Sequence, residues 1–302
     1  MAWTVYRWDD LGAPQLSAQS NSLQEVLRGC LCDGYGEKSA AGWTEYSYTN
    51  DKSIYVNAGT GHGLLVIHAA NSSNATVVGV EFGNDQGPYF PTTTQAANRL
   101  YWYVSATTDA TLRPWIVFAD EKRFYLWAGA GLTTAQGVGS TGGVPTFFAG
   151  DIESMSASDP YCFMVIGGTS SGTGGLYFGT LSTTPSNPLF GHYIARASTA
   201  SGSSINVAKA SDSPMMGGFT VMGNSGASYP AFGGGLLLAP VNVIESTNVL
   251  RGQMPKLWNP LHQLPGSPGD KFGGTGALSG KTFILLDASS ASNRARIVLE
   301  TS

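Results

Sequence analysis

The sequence predicts a mainly β protein, made of antiparallel sandwich- or barrel-like domains with one short N-terminal helix. Three observations carry this. The 302 residues include 40 Gly and only 12% charged side chains, about half the roughly 25% usual for a soluble domain. Ser, Thr, Asn and Gly must then cover the surface, and such a composition favours short strands and tight turns over helices. Apolar and aromatic residues recur at strand period in many short segments. Only one segment has helical spacing.

That segment comes first. Ser22-Leu23-Gln24-Glu25 reads as a capping box, Leu23, Val26, Leu27 and Leu31 follow at helical spacing, and Gly34 is placed to stop the chain, so a helix is expected over 22–32. Its apolar face is expected to pack on the strand beginning at Trp43. Strands are then expected at 43–48, 63–69, 76–82, 101–106, 115–119, 123–128, 161–166, 175–179 and 282–287. Trp115-Ile-Val-Phe-Ala and Arg123-Phe-Tyr-Leu-Trp flank Asp120-Glu121-Lys122 and read as a hairpin with charge at its turn. Gly/Ser/Thr-rich stretches at 129–143 and 167–175 read as loops or loose hairpin turns.

Pro185-Ser-Asn-Pro188 suggests a division into an N-terminal β-rich domain, 1–185, and a second β-rich region, 186–302. Within the latter, 249–272 carries four prolines, which argue against regular structure. Met254, Leu257, Trp258 and Leu261 in that stretch nevertheless need burial. They are therefore the interface candidates, docked on the parent domain or on a neighbouring subunit.

Net charge is −4, Lys and Arg do not cluster, and none occurs from Phe124 to Ala195 or from Ala210 to Leu250. Nucleic acid is accordingly not an expected partner. Such long uncharged stretches read as surfaces that meet other protein surfaces. Cys30, Cys32 and Cys162 are an odd set without a disulfide framework and read as reduced thiols. No apolar leader opens the chain, no apolar run approaches about 18 residues, and neither a 20–50-residue repeat nor a heptad pattern is visible.

Several strings invite a chemical reading. Gly168-Thr-Ser170-Ser-Gly172 matches a nucleophile elbow, but the residues that follow read as a strand where a helix is needed. Gly280-Lys281-Thr282 resembles the end of a phosphate-binding loop, yet its first glycine is misplaced and a strand follows. His62, His68, His192 and His262 have no metal-ligand spacing, although His62 and His68 read as able to face one another and to join Cys30 or Cys32. Asp120, Asp151, Glu153 and Asp159 are the carboxylates available for glycoside hydrolysis; Asp120 and Asp159 read as turn residues. Trp102, Trp127 and Trp258 suit either sugar stacking or a core. No enzyme, cofactor or metal site is expected.

Leu27-Arg-Gly-Cys-Leu-Cys-Asp-Gly-Tyr-Gly-Glu-Lys38, running on to Ala41-Gly-Trp43, resembles a segment of tailed-bacteriophage virion structural proteins associated with tail or baseplate. Arg113-Pro-Trp115 through Ala119-Asp-Glu-Lys-Arg-Phe-Tyr-Leu126, and Leu250-Arg-Gly-Gln-Met-Pro-Lys-Leu-Trp258 with Leu261-His262, resemble the same group. The group would carry Val in place of Cys32 and Gly in place of Lys256, so neither a thiol metal site nor a glycine-specific turn is carried over. The resemblance implies a non-catalytic late protein, made in the host cytoplasm and built into the virion as a symmetric homo-oligomer with other structural proteins, supporting host adsorption. A head-decoration or neck protein and a carbohydrate-binding receptor module, with host surface glycan as partner, are the alternatives.

Overall fold

The computed structural model describes residues 3–49, 51–72, 74–82, 88–89, 100–105, 107–128, 132–134, 137–138, 146–159, 162–166, 192–194, 205–209, 238–245, 249–260, 269–287 and 296–301. These form an antiparallel, mainly β structure with one short α-helix, as the sequence predicts.

A central sheet runs in the order β1 (Thr4–Arg7), β8 (Trp115–Ala119), β9 (Arg123–Ala128), β12 (Thr146–Asp151), β14 (Phe163–Ile166) and β15 (His192–Ile194). One flanking sheet runs β2 (Thr44–Thr49), β3 (Lys52–Val56), β4 (Gly63–Ile67), β5 (Asn74–Phe82) and β6 (Pro88–Tyr89), with β7 (Leu100–Tyr103) also on β5. The other runs β16 (Ile205–Lys209), β17 (Leu238–Glu245), β18 (Val249–Pro260), β21 (Arg296–Glu300), β20 (Thr282–Asp287) and β19 (Lys271–Gly273), with β13 (Glu153–Ser154) on β18. A small hairpin, β10 (Leu132–Thr134) and β11 (Gly137–Val138), falls in the Gly-rich stretch read as a loose turn.

Side chains on successive strand residues point to opposite faces, and in the central sheet both sets are apolar. Val117, Phe124, Leu126, Phe147 and Val165 turn to one face, where they join Tyr55, Leu64, Val66, Val77 and Trp102 of the first flanking sheet. Phe118, Tyr125, Trp127, Phe148 and Met164 turn to the other, against Val241, Val243, Met254, Leu257, Ile284 and Leu299. The result is three layers sharing two cores. On the outer side of the third layer, Phe283, Leu285 and Val298 pack with Trp258 and Phe272.

The α-helix, α1 (Ser22–Arg28), continues as a π-helical turn over Gly29–Asp33 and ends at Gly34, whose φ is 78°. Leu23, Val26, Leu27, Cys30 and Leu31 join the first core beside Trp43, as expected. The capping box does not form. Asn21 is the cap residue, in the left-handed region at φ 72°, and Ser22 lies inside the first turn. The Ser22 hydroxyl is used by the preceding loop instead, accepting from the Ser17 amide at 2.5 Å and donating to the Gln15 carbonyl at 3.1 Å.

The irregular chain expected from 249 is corrected for 249–260, which is strand β18. Its ladder with β17 shows how proline is accommodated. Gln253 pairs with Asn242 and Trp258 with Pro240, five steps on β18 against two on β17, so three extra residues bulge out of register. Pro255 lies in that bulge, where no ladder N–H is required. Lys256 beside it has φ 56°, a left-handed conformation despite its side chain. The division expected near 185 lies outside the described residues; the β14–β15 and β13–β18 pairings join residues on either side of it.

Trp102 is fully buried, stacked on Phe147 at 5.0 Å and edge-on to Phe124 at 5.9 Å. Trp102→Ala is expected to cost about 3–5 kcal/mol in denaturant unfolding, because the two rings leave a cavity between stiff sheets.

Candidate functional site

A polar cluster lies at the tip of the β8–β9 hairpin. Asp120 shapes the turn, its Oδ1 accepting from the amides of Lys122 at 2.9 Å and Arg123 at 3.1 Å. Arg123 approaches Asp120 and Glu153, each at 3.8 Å. Asp151 ends β12 beside the same tip, buried at 5% exposure. Three of the four carboxylates singled out in the sequence are therefore brought to one place.

What they do there is decided by the partners of Asp151. Its Oδ1 accepts from Asn57 Nδ2 at 2.8 Å and Thr60 Oγ1 at 2.8 Å, and its Oδ2 from the Thr60 amide at 3.2 Å. Asn57 Nδ2 donates also to the Lys122 carbonyl at 2.8 Å, and the Ala58 amide to the Glu121 carbonyl at 2.8 Å. A Cβ on Gly59 would run into Asp151 Oδ2, so only glycine lets the 57–60 loop close over the carboxylate. The carboxylate is a joint between the first flanking layer and the central sheet, its lone pairs turned to protein donors. Asn57, Gly59 and Thr60 have no sequence signal, standing 91–94 residues from Asp151.

Asp159, the fourth carboxylate, is a second joint. Arg251 donates to it from Nε at 2.8 Å and from an Nη at 2.9 Å, and Ser154 Oγ donates at 2.9 Å. This forked pair is almost fully buried, at 4% and 8% side-chain exposure, and ties the 154–159 loop to β18.

Among the described residues, His62 and His68 do not converge. His62 and His68 flank opposite ends of β4, about 20 Å apart at strand rise, so the facing arrangement that the sequence left open is not formed. His62 stacks on Phe163 at 5.8 Å, and His68 Nε2 meets the Ser72 carbonyl at 3.0 Å. His262 lies outside the described residues, as does Ser170, and no group of three or more His, Cys, Asp or Glu is assembled among the described residues. Burial pushes the Cys32 and Cys162 thiols up to about 12 and Cys30 well above its usual value. Thiolate, the form that binds metal or attacks, is thereby suppressed.

Gly280-Lys281-Thr282 leads into β20, a strand. Lys281 Nζ bonds Glu300 Oε2 at 2.8 Å and lies over the Trp258 ring at 5.6 Å. Met254 and Leu257 are 1% exposed and face the central sheet, so the parent fold takes up both. Trp258 is partly buried on the outer cluster, and Leu261 lies outside the described residues. Trp102 and Trp127 are core, not sugar platforms. No protein-family model matches the chain, and no curated protein matches it.

Two outcomes test these joints. Asp159→Ala is expected to lower stability by about 3 kcal/mol, while Asp159→Leu combined with Arg251→Met loses less, since the single change strands a buried charge. His68 is held below its ordinary value of 6.5 by burial, so the unfolded chain takes up this proton first as the solution acidifies. Stability from neutral His68 is present above pH 6.5 and is lost as pH falls toward the lowered folded value. His68→Gln should flatten that part of a stability–pH profile.

Proposed function

We propose that this chain is a structural protein of a tailed-bacteriophage virion, of the tail or baseplate, acting by subunit assembly and support of host adsorption. The observation that carries this reading is where the chemistry of the three resembling segments goes. The 27–43 segment ends α1 and leads up to β2, the 113–126 segment forms most of the central hairpin, and the 250–258 segment lies in the bulged strand β18. Each contributes joints rather than a reactive group: Trp43 Nε1 donates to the Asp120 carbonyl at 2.9 Å, and Tyr125 Oη donates to the Pro255 carbonyl at 2.9 Å.

The surface supports the same reading. Only 12% of residues are charged, and buried or part-buried joints use several of them. Trp8, Leu11 and Leu112 are exposed at 41%, 88% and 55%, on the two segments that meet where β1 ends and β8 begins. Neutral surfaces with apolar points suit permanent contacts between subunits.

Particles purified from the infected host are expected to contain this chain, with density for its three-layer fold at the tail end in electron cryo-microscopy. Density on the capsid would move the role to head decoration, and particles free of its peptides would overturn the reading.

A further inference from the structure

β1 lies at one edge of the central sheet. Tyr6 pairs with Val117, and the Trp8 amide donates to the Trp115 carbonyl at 3.0 Å. Residues 4, 6 and 8 therefore turn their backbone groups toward β8, while Val5 and Arg7 turn theirs away. A bare edge of this kind is a template for a strand of another chain.

Here the edge is occupied by side chains. Lys38 Nζ donates to the Val5 carbonyl at 2.9 Å. The Arg7 amide donates to Asp10 Oδ2 at 2.8 Å and to Tyr35 Oη at 3.1 Å. The Tyr35 hydroxyl proton has two acceptors, Asp10 Oδ2 at 3.0 Å and the Arg7 carbonyl at 3.4 Å, and that carbonyl also accepts from the Asp10 amide at 3.2 Å.

The turn that presents Tyr35 and Lys38 is held by its own backbone. Tyr35 and Lys38 exchange backbone hydrogen bonds of 3.1 and 2.8 Å. Gly34 and Gly36 take φ of 78° and 54°, and a Cβ on them would strike the carbonyls of Lys38 and Leu11 respectively. The Tyr35 ring packs against Tyr6 at 5.9 Å and Trp115 at 6.2 Å, so its hydroxyl is aimed by the core.

We infer that the Asp33–Lys38 turn, together with Asp10, is a guard on the β1 edge, closing it against a strand from a second copy of this chain. Val5 and Arg7 offer the outward N–H and C=O groups that such a strand would bind, and three of these four groups are held by Lys38, Asp10 and Tyr35. The inference is independent of the virion reading.

The test uses the full chain carrying Tyr35→Phe, Lys38→Met and Asp10→Ala, which keeps the ring and the stem and removes the hydroxyl, the ammonium and the carboxylate that hold the Val5 carbonyl and the Arg7 amide. Sedimentation velocity over rising concentration is expected to show about a doubling of weight-average mass relative to wild type, as edges pair. Adding Val5→Pro removes an outward N–H without touching the β8 ladder and is expected to restore the wild-type profile. Near-UV circular dichroism reports whether core packing survives. Where this triple variant loses that signal, Lys38→Met with Asp10→Ala, with the same expected direction, carries the test. A natively packed variant that sediments like wild type, or association that Val5→Pro leaves intact, overturns the inference.

Discussion

The structure depends on burying both faces of the central sheet. Antiparallel sheets commonly keep one face in water and alternate apolar with polar residues. Trp115-Ile-Val-Phe-Ala and Phe124-Tyr-Leu-Trp-Ala do not alternate, and every one of these side chains is buried. Val117 and Leu126 serve one core and Phe118 and Trp127 the other. A strand of this kind is stable only between two partners, so each outer layer is a condition for the middle one.

Layers that share only apolar contact can slide, and a small set of buried polar joints fixes them. Asp151 binds the 57–60 loop to the hairpin tip, and Arg251 binds Asp159. The Tyr125 hydroxyl reaches across the second core to the Pro255 carbonyl, and the Trp115 indole N–H donates to the Pro14 carbonyl at 3.0 Å. Directional bonds of this kind cost most when one partner is removed, because the other is left buried. Lys256 shows the same hold on the backbone. Its left-handed conformation is maintained in the bulge between Met254 and Leu257, both anchored in the core.

Legibility in the sequence followed range. The β8–β9 hairpin was readable because its two apolar runs and its charged turn lie within 14 residues of chain. The helix was readable from its spacing, but its cap was not, since Ser22 is recruited by the loop at 15–17. Proline made 249–260 read as irregular, and the bulge that absorbs Pro255 depends on a partner strand whose register is invisible locally. The sequence offers the carboxylates as candidates for hydrolytic chemistry or as turn residues, while the donors that make Asp151 a joint are 91 and 94 residues away.

By itself the sequence determined the class of many local elements: short apolar runs make strands, one 3.6-period run makes a helix, and Gly34 stops it. Tertiary structure alone decided that the central sheet is covered twice, that Met254 and Leu257 face inward, and that Tyr35 and Lys38 reach the edge of β1. An apolar residue states that it must leave water, which is a local property of its side chain. What covers it is set by contacts between segments far apart in the chain, and those exist only once the layers have closed.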